Sequence, residues 1–122
     1  MPGCPVADLD DKFRYFYCPK ASTREKNAGL KKSPVKANHH PTCKPLALCR
    51  YLCRLVTPPE GLIVDPFAGS ASIGCAALSE GFRYWGAESD GEYYQIAEKR
   101  LESTQGLHSG IAKPIRACGG LL

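Results

Sequence analysis

The stretch from Leu62 to Ser79 constrains this chain more than any other. An unbroken apolar run, Leu62-Ile63-Val64, ends in Asp65 and passes through a Gly/Ser turn into a segment rich in alanine and other small residues. A short apolar run bounded by turn signals reads as a strand buried on both faces, the usual state of a strand in a parallel sheet. The small residues of Ile73 to Ser79 suit a helix packed closely against it. Strand, glycine-containing turn and helix in that order admit few architectures, because such a helix leads back across the sheet to a second parallel strand.

That second strand is expected at Phe82–Ala87, after Gly81 ends the helix, and it places Glu88 at its carboxyl end. Asp90 then reads as a helix cap. Glu92 falls in the first turn of that helix and Lys99 and Arg100 in the last, near Leu101, as the helix dipole prefers. Upstream, Pro45 fits a first helical position, and Leu46, Leu48, Tyr51, Leu52, Leu55 and Val56 recur with mostly helical spacing. Thr57-Pro58-Pro59-Glu60-Gly61 stops that helix. The fold class expected is α/β: an incomplete parallel sheet with flanking helices, part of a Rossmann-like unit.

The flanks carry weaker signals. Residues 1–12 hold two prolines, a glycine and three aspartates and read as irregular, whereas Phe13–Cys18 is aromatic-rich and strand-like without an evident partner. Pro19–Asn38 carries six lysines and arginines among Ser, Asn, Gly and Pro, the composition of a long solvated loop. The organisation expected is a basic irregular segment over residues 1–38, an α/β half-domain over 39–102 and a loose tail over 103–122.

The seven cysteines are odd in number and contain no Cys-x-x-Cys pair, so reduced thiols are the simpler reading than disulfides or zinc. Cys49 and Cys53, four apart and near His39 and His40, fit either a metal cluster or two small residues on one packed helix face. The net charge of +4 is a modest excess, compatible with a polyanionic partner without requiring one. No targeting leader is evident, and no run approaches the roughly 18 apolar residues of a membrane span. A cytoplasmic protein of bacterial or phage type is therefore expected.

The chemistry concentrates at the carboxyl ends of the two strands. Small residues at Gly69–Ser72 let backbone approach a ligand, and the helix start offers N–H groups and a positive dipole end to a carboxylate or phosphate. Glu88 lies 23 positions after Asp65, close to the roughly 20-residue offset at which such folds place a carboxylate against ribose hydroxyls. Topology leaves a dinucleotide and S-adenosylmethionine both open; a single glycine, rather than a spaced triplet, disfavours a pyrophosphate cradle.

These residues carry a family resemblance. Asp65-Pro66-Phe67-Ala68-Gly69-Ser70-Ala71-Ser72 is similar to the Asp-Pro-Phe-x-Gly-Ser-Gly-Thr/Ser cofactor motif of the N4-cytosine/N6-adenine DNA methyltransferases. His40-Pro41-Thr42-Cys43-Lys44-Pro45 resembles their His-Pro-Thr-x-Lys-Pro motif, and Gly86-Ala87-Glu88-Ser89-Asp90 their ribose-binding strand end. The similarity runs from about Tyr17 to Leu101. It implies S-adenosyl-L-methionine as cofactor, double-stranded DNA as substrate, and methyl transfer to an exocyclic amine of adenine or cytosine. By position, Asp65, Phe67 and Gly69 would line the cofactor's methionine end and Glu88 its ribose, with Thr42 and Lys44 closing the pocket from the other side.

Two departures from the family pattern stand out. Ala71 replaces a glycine, which adds strain of about 1 kcal/mol or more if φ is positive there. The catalytic tetrapeptide (Asp/Asn/Ser)-Pro-Pro-(Tyr/Phe/Trp) is missing; Thr57-Pro58-Pro59-Glu60 lacks both its polar first residue and its aromatic last one. In the permuted subgroup the catalytic motif comes first, so the expectation is a carboxyl-terminal piece, inactive alone, that works with a separately encoded amino-terminal half or self-associates. The alternative is a non-catalytic DNA-binding remnant whose basic residues Lys20, Arg24 and Lys26, with Lys31 and Lys32, touch phosphates.

Overall fold

A computed structural model describes residues 18–32 and 37–105. The strand-like Phe13–Tyr17 run and most of the expected tail lie outside the described residues. The elements, in order, are α1 (Thr23–Lys26), a single 3-10 turn (Leu30–Lys32), α2 (Leu46–Val56), β1 (Leu62–Asp65), α3 (Ser72–Ser79), β2 (Arg83–Gly86) and α4 (Gly91–Gln105).

β1 and β2 pair in parallel, with Leu62 opposite Arg83, Ile63 opposite Tyr84, Val64 opposite Trp85 and Asp65 opposite Gly86. The ladder continues past the strand ends. Ala87 N–H donates to the Asp65 carbonyl at 3.0 Å, and Ala68 N–H donates to the Ala87 carbonyl at 2.9 Å, tying the turn after β1 to the end of β2. Both carboxyl ends therefore open on the same side, where ligands of open α/β sheets bind.

The core is made largely of small side chains around α3: Cys49, Cys53, Ala71, Cys75, Ala76, Ala77, Leu78, Phe82, Tyr84, Ala97 and Leu101. Close approach is built in at Gly74, where an added Cβ would come within 2.6 Å of the Tyr84 ring. On α2 the buried stripe is Cys49 and Cys53, with Leu46 packed against the same core. Leu52, Leu55 and Val56, expected to drive that helix inward, are exposed. Arg50 (2.5 Å) and Arg54 (3.4 Å) pair instead with Glu80 at the end of α3.

β1 departs from expectation. It is not buried on both faces: Leu62 is 51% and Val64 57% exposed, while Ile63 packs against the core. The apolar run was long enough to satisfy two faces, but among the described residues nothing covers the second one.

Three boundaries shift. Pro45 is the N-cap of α2, extended at φ −61° and ψ 132°, rather than its first helical residue. β2 is shorter than Phe82–Ala87 by one residue at each end. α4 runs on to Gln105, so residues 103–105 are helix rather than tail.

The described residues of the Pro19–Asn38 segment, 19–32 and 37–38, are more ordered than its composition suggests. Ser22 caps α1 by accepting the Glu25 N–H at 3.2 Å, and Leu30 is buried in the turn that lies beside α4. Asn38 locks the return of the chain, its N–H donating to Asn27 Oδ1 at 2.7 Å and its amide to the Lys26 carbonyl at 3.1 Å. Glu25 Oε1 accepts the Leu46 N–H at 2.5 Å, capping α2 where Pro45 has no side chain to do so.

Candidate functional site

The turn between β1 and α3 takes two left-handed residues, Gly69 (φ 54°) and Ala71 (φ 55°). Gly69 is required there on two counts. A Cβ would be strained at that φ and would also stand 2.6 Å from His40 Nε2. Ala71 carries the strain of a non-glycine residue in that region, about 1–2 kcal/mol, but its methyl is 0% exposed and packs into the core. The position that departs from the family pattern thus turns its side chain away from the ligand side.

Asp65 and Glu88 brace this turn. Asp65 Oδ1 accepts the Phe67 N–H at 3.2 Å and Oδ2 accepts the Tyr84 hydroxyl at 3.3 Å. Tyr84 is buried beside that carboxylate, and burial, with the Asp65 charge next, holds its phenol well above its ordinary pKa, so it stays a donor. Glu88 Oε2 accepts the Gly69 N–H at 2.7 Å and Oε1 the Asp90 N–H at 2.9 Å. A carboxylate has about four acceptor positions, so Glu88 keeps capacity for a ligand hydroxyl.

The second motif folds over the same turn. The His40 N–H donates to Asn38 Oδ1 at 3.0 Å, and His40 Nδ1 accepts the Thr42 N–H at 3.2 Å. A backbone N–H can only donate, which leaves the ring proton on Nε2, the atom nearest Gly69. Burial lowers the His40 pKa; Glu88 opposes this, while Arg100, His39 and Lys44 reinforce it. The ring also stands edge-on to Tyr93, centroids 4.5 Å apart. Cys43, the variable position of the motif, reaches Ser72 Oγ at 3.4 Å and joins the motif to the start of α3.

Between these walls lies a cleft of about 390 Å³ lined by His40, Thr42, Lys44, Asp65, Phe67, Ala68, Gly69, Ser70 and Ser72, with Leu48, Cys49, Leu52 and Ile73 as its apolar side. Leu52, exposed on α2 and outside the core, thus finds a place on its wall. Phe67 stands at this cleft 89% exposed. Pro41 and Pro66 are exposed and off the lining, Ala71 faces the core, and Glu88 meets the turn from behind Gly69 without lining the cleft.

Of the two readings of Cys49 and Cys53, the packed helix face is the one the fold realises. Cys49 and Cys53 are buried in the core, and His39 Nε2 turns to Glu92 at 3.3 Å. Among the described residues no three His, Cys, Asp or Glu side chains converge as metal ligands. Burial drives the Cys49 thiol up to about 11 and raises Cys53 and Cys75. Lys20, Arg24 and Lys31 are exposed and Lys26 half-buried. No helix among the described residues is long and apolar enough to cross a membrane.

Arg100 was expected in the last turn of α4; the helix runs on to Gln105, and Arg100 is 1% exposed. Its Nη1 donates to the Ser70 carbonyl, to Ser70 Oγ at 3.0 Å and to Ser72 Oγ at 3.3 Å. A signal for this was present: Ile96, Ala97 and Leu101, its helical neighbours at four-, three- and one-residue spacing, form the apolar face of α4, and Arg100 lies on that face. Tyr84 was missed because it belongs to no motif, and Cys43 because it fills the variable position of one.

Comparison with known proteins agrees with this geometry. A family model described as DNA methylase, of the N6/N4 type, matches residues 8–99. The chain is 42% identical over 67 residues to a putative methylase, YubD, of Escherichia coli K12, covering 55% of this chain and 30% of that protein. It is 36% identical over 64 residues to the DNA adenine methyltransferase YhdJ of the same organism, covering 52% and 22%. A crystal structure of M1.HpyAVI in complex with SAM superposes with a TM-score of 0.50 at 41% identity, covering 52% of this chain and 32% of that one. The chain thus spans under a third of the length of these two curated relatives. With both motifs meeting at one cleft and the family model matching most of its length, this chain belongs to the N6/N4 DNA methylase family.

Proposed function

We propose that this chain is the S-adenosylmethionine-binding part of a DNA amino-methyltransferase, its α/β unit spanning residues 39–105. The observation that carries the reading is the convergence of Asp65, the Gly69–Ser72 turn and the His40–Lys44 segment on one cleft. Its residues fit the cofactor chemically. A sulfonium and an ammonium call for a carboxylate, which Asp65 supplies; a carboxylate calls for N–H donors, which the start of α3 supplies. The exposed ring of Phe67 offers an apolar face at the cleft. When bound, S-adenosylmethionine supplies an electrophilic methyl group.

In this reading Asp65 holds the ammonium, Thr42 and Lys44 close the cleft, and Glu88 accepts from the ribose hydroxyls while keeping Gly69 in place. The acceptor would be a DNA base amine. The relative whose name states a base is an adenine methyltransferase, which favours adenine over cytosine. The Pro-Pro-aromatic tetrapeptide that grips such an amine is not in these residues, so a further stretch of polypeptide, separately encoded or covalently joined, would bring it. Leu62 and Val64 on β1 are the surface such a sheet-bearing partner, or a second copy, would cover. Lys20, Arg24 and Lys26 would steady the DNA through phosphates, which predicts salt-dependent binding.

Calorimetric titration with S-adenosylmethionine tests the reading. Wild type should bind, and Asp65→Ala and Glu88→Ala should each weaken binding by about 1.5–3 kcal/mol, the range for hydrogen bonds to charged groups. A folded wild-type chain that does not bind would overturn it.

A further inference from the structure

We infer that Arg100 is a positioning residue for the carboxylate of the bound ligand; the inference rests on the S-adenosylmethionine reading above. Arg100 is a buried cation whose acceptors, the Ser70 carbonyl and the Ser70 and Ser72 hydroxyls, are all neutral. Its Nε has no hydrogen-bond partner. The ion pairs among the described residues do not include it. The two nearby carboxylates are otherwise engaged, Asp65 with Tyr84 and Phe67 N–H, Glu88 with the Gly69 and Asp90 N–H groups.

An arginine cannot shed its charge, and a buried charge without a counter-ion is costly. Stability alone would be served as well by an apolar side chain at this place on α4. The charge lies directly behind a second positive feature. α3 begins at Ala71, which has no side-chain oxygen to cap it. The first helical bond is Cys75 N–H to the Ala71 carbonyl, so the N–H groups of Ser72, Ile73 and Gly74 precede it. Helix dipole and guanidinium thus point the same sign at the same turn, and among the described residues no carboxylate is paired with Arg100. The charge is felt on the cleft side: after burial and the opposing Glu88, Arg100 is the next cause acting on His40. A ligand carboxylate at the α3 start completes this arrangement, with Arg100 acting through Ser70 and Ser72.

The test separates charge from scaffold. The full 122-residue chain and its Arg100→Met and Arg100→Lys variants are titrated with S-adenosylmethionine and with its decarboxylated analogue, which lacks only the carboxylate. Wild type should prefer the intact ligand. Arg100→Met should lose on the order of tenfold or more in affinity for it, the scale of a unit charge several ångströms away at intermediate dielectric, with little change for the analogue. Arg100→Lys should keep the preference. Equal losses for both ligands would reduce Arg100 to a scaffold residue and overturn the inference. If circular dichroism shows Arg100→Met unfolded, the Lys variant decides: a preference collapsed to parity overturns the inference, and a retained one supports it. Wild type binding both ligands equally also overturns it while leaving the cofactor reading intact; wild type binding neither overturns that reading itself.

Discussion

The starts of α3 and α4 follow the two parallel strands in the same way and are built oppositely. At α4, Asp90 Oδ1 accepts the Glu92 and Tyr93 N–H groups at 2.9 and 3.0 Å, so the helix satisfies its own first donors from adjacent sequence. At α3 the corresponding position is Ala71, left-handed and without a capping oxygen, and the buried cation Arg100 is bonded to Ser70 and Ser72 on either side of it. A capped start gains about 1 kcal/mol and has little left to offer a ligand. An open start forgoes that gain and keeps its donors available. The difference, at one end of the sheet, is between a helix start closed by its own sequence and one left open, where the proposed cofactor site lies.

Substituting Gly69→Ala should damage the open end most. The methyl meets both the left-handed strain of about 1–2 kcal/mol and the His40 ring, 2.6 Å away at Nε2. Cofactor affinity, read by calorimetry, should fall on the order of tenfold or more; an unchanged affinity would break the distinction drawn above. Next in size, Asp90→Ala should lower stability by about 1 kcal/mol in a urea or thermal melt and leave cofactor affinity nearly as it was. If it costs as much binding as Gly69→Ala, the two helix starts do not differ in role.

Acidification probes the open turn in another way, because His40 Nε2 stands beside Gly69 while the ring edge meets Tyr93 of α4. Its folded pKa is lowered, so as pH falls through about 6.5 the unfolded chain takes up the proton first. Stability should therefore decline from that point down to the folded pKa, with no further loss from this group below it. Urea midpoints at about pH 7.5 and about pH 5.5 should differ more in wild type than in His40→Gln. The smallest effect is expected for Ala71→Gly. Relief of about 1 kcal/mol of left-handed strain is offset by loss of a buried methyl worth about 0.8 kcal/mol and by the entropy of glycine, for a net change within about 0.5 kcal/mol. Because that methyl faces the core, affinity should not move; a clear gain in affinity would place Ala71 on the ligand side after all.

Much of the site was legible before the fold was known. Asp90 announced its cap, Gly69 its turn, and Asp65 and Glu88 their places at the strand ends, because each signal lies within a few residues of what it controls. The left-handed φ at Ala71 was legible too, once the motif marked that position for glycine. The burial of β1 was not. Leu62 and Val64 look like core in any window of sequence, yet they are exposed because no described element covers that face.

Periodicity, turn chemistry and the motifs were enough to establish a strand-turn-helix-strand-helix unit and the residues around its turn, since these follow from steric and hydrogen-bonding preferences within single turns of chain. Which charges are buried, and what they hold, followed from contacts across the molecule. Glu25 caps α2 from 21 positions away, Tyr84 holds Asp65 from 19 positions away, and Arg100 grips Ser70 from 30 positions away. Such pairs form only when separate elements pack together, and the energy that makes or forbids them, desolvation against hydrogen bonding in a buried space, does not exist until the packing does.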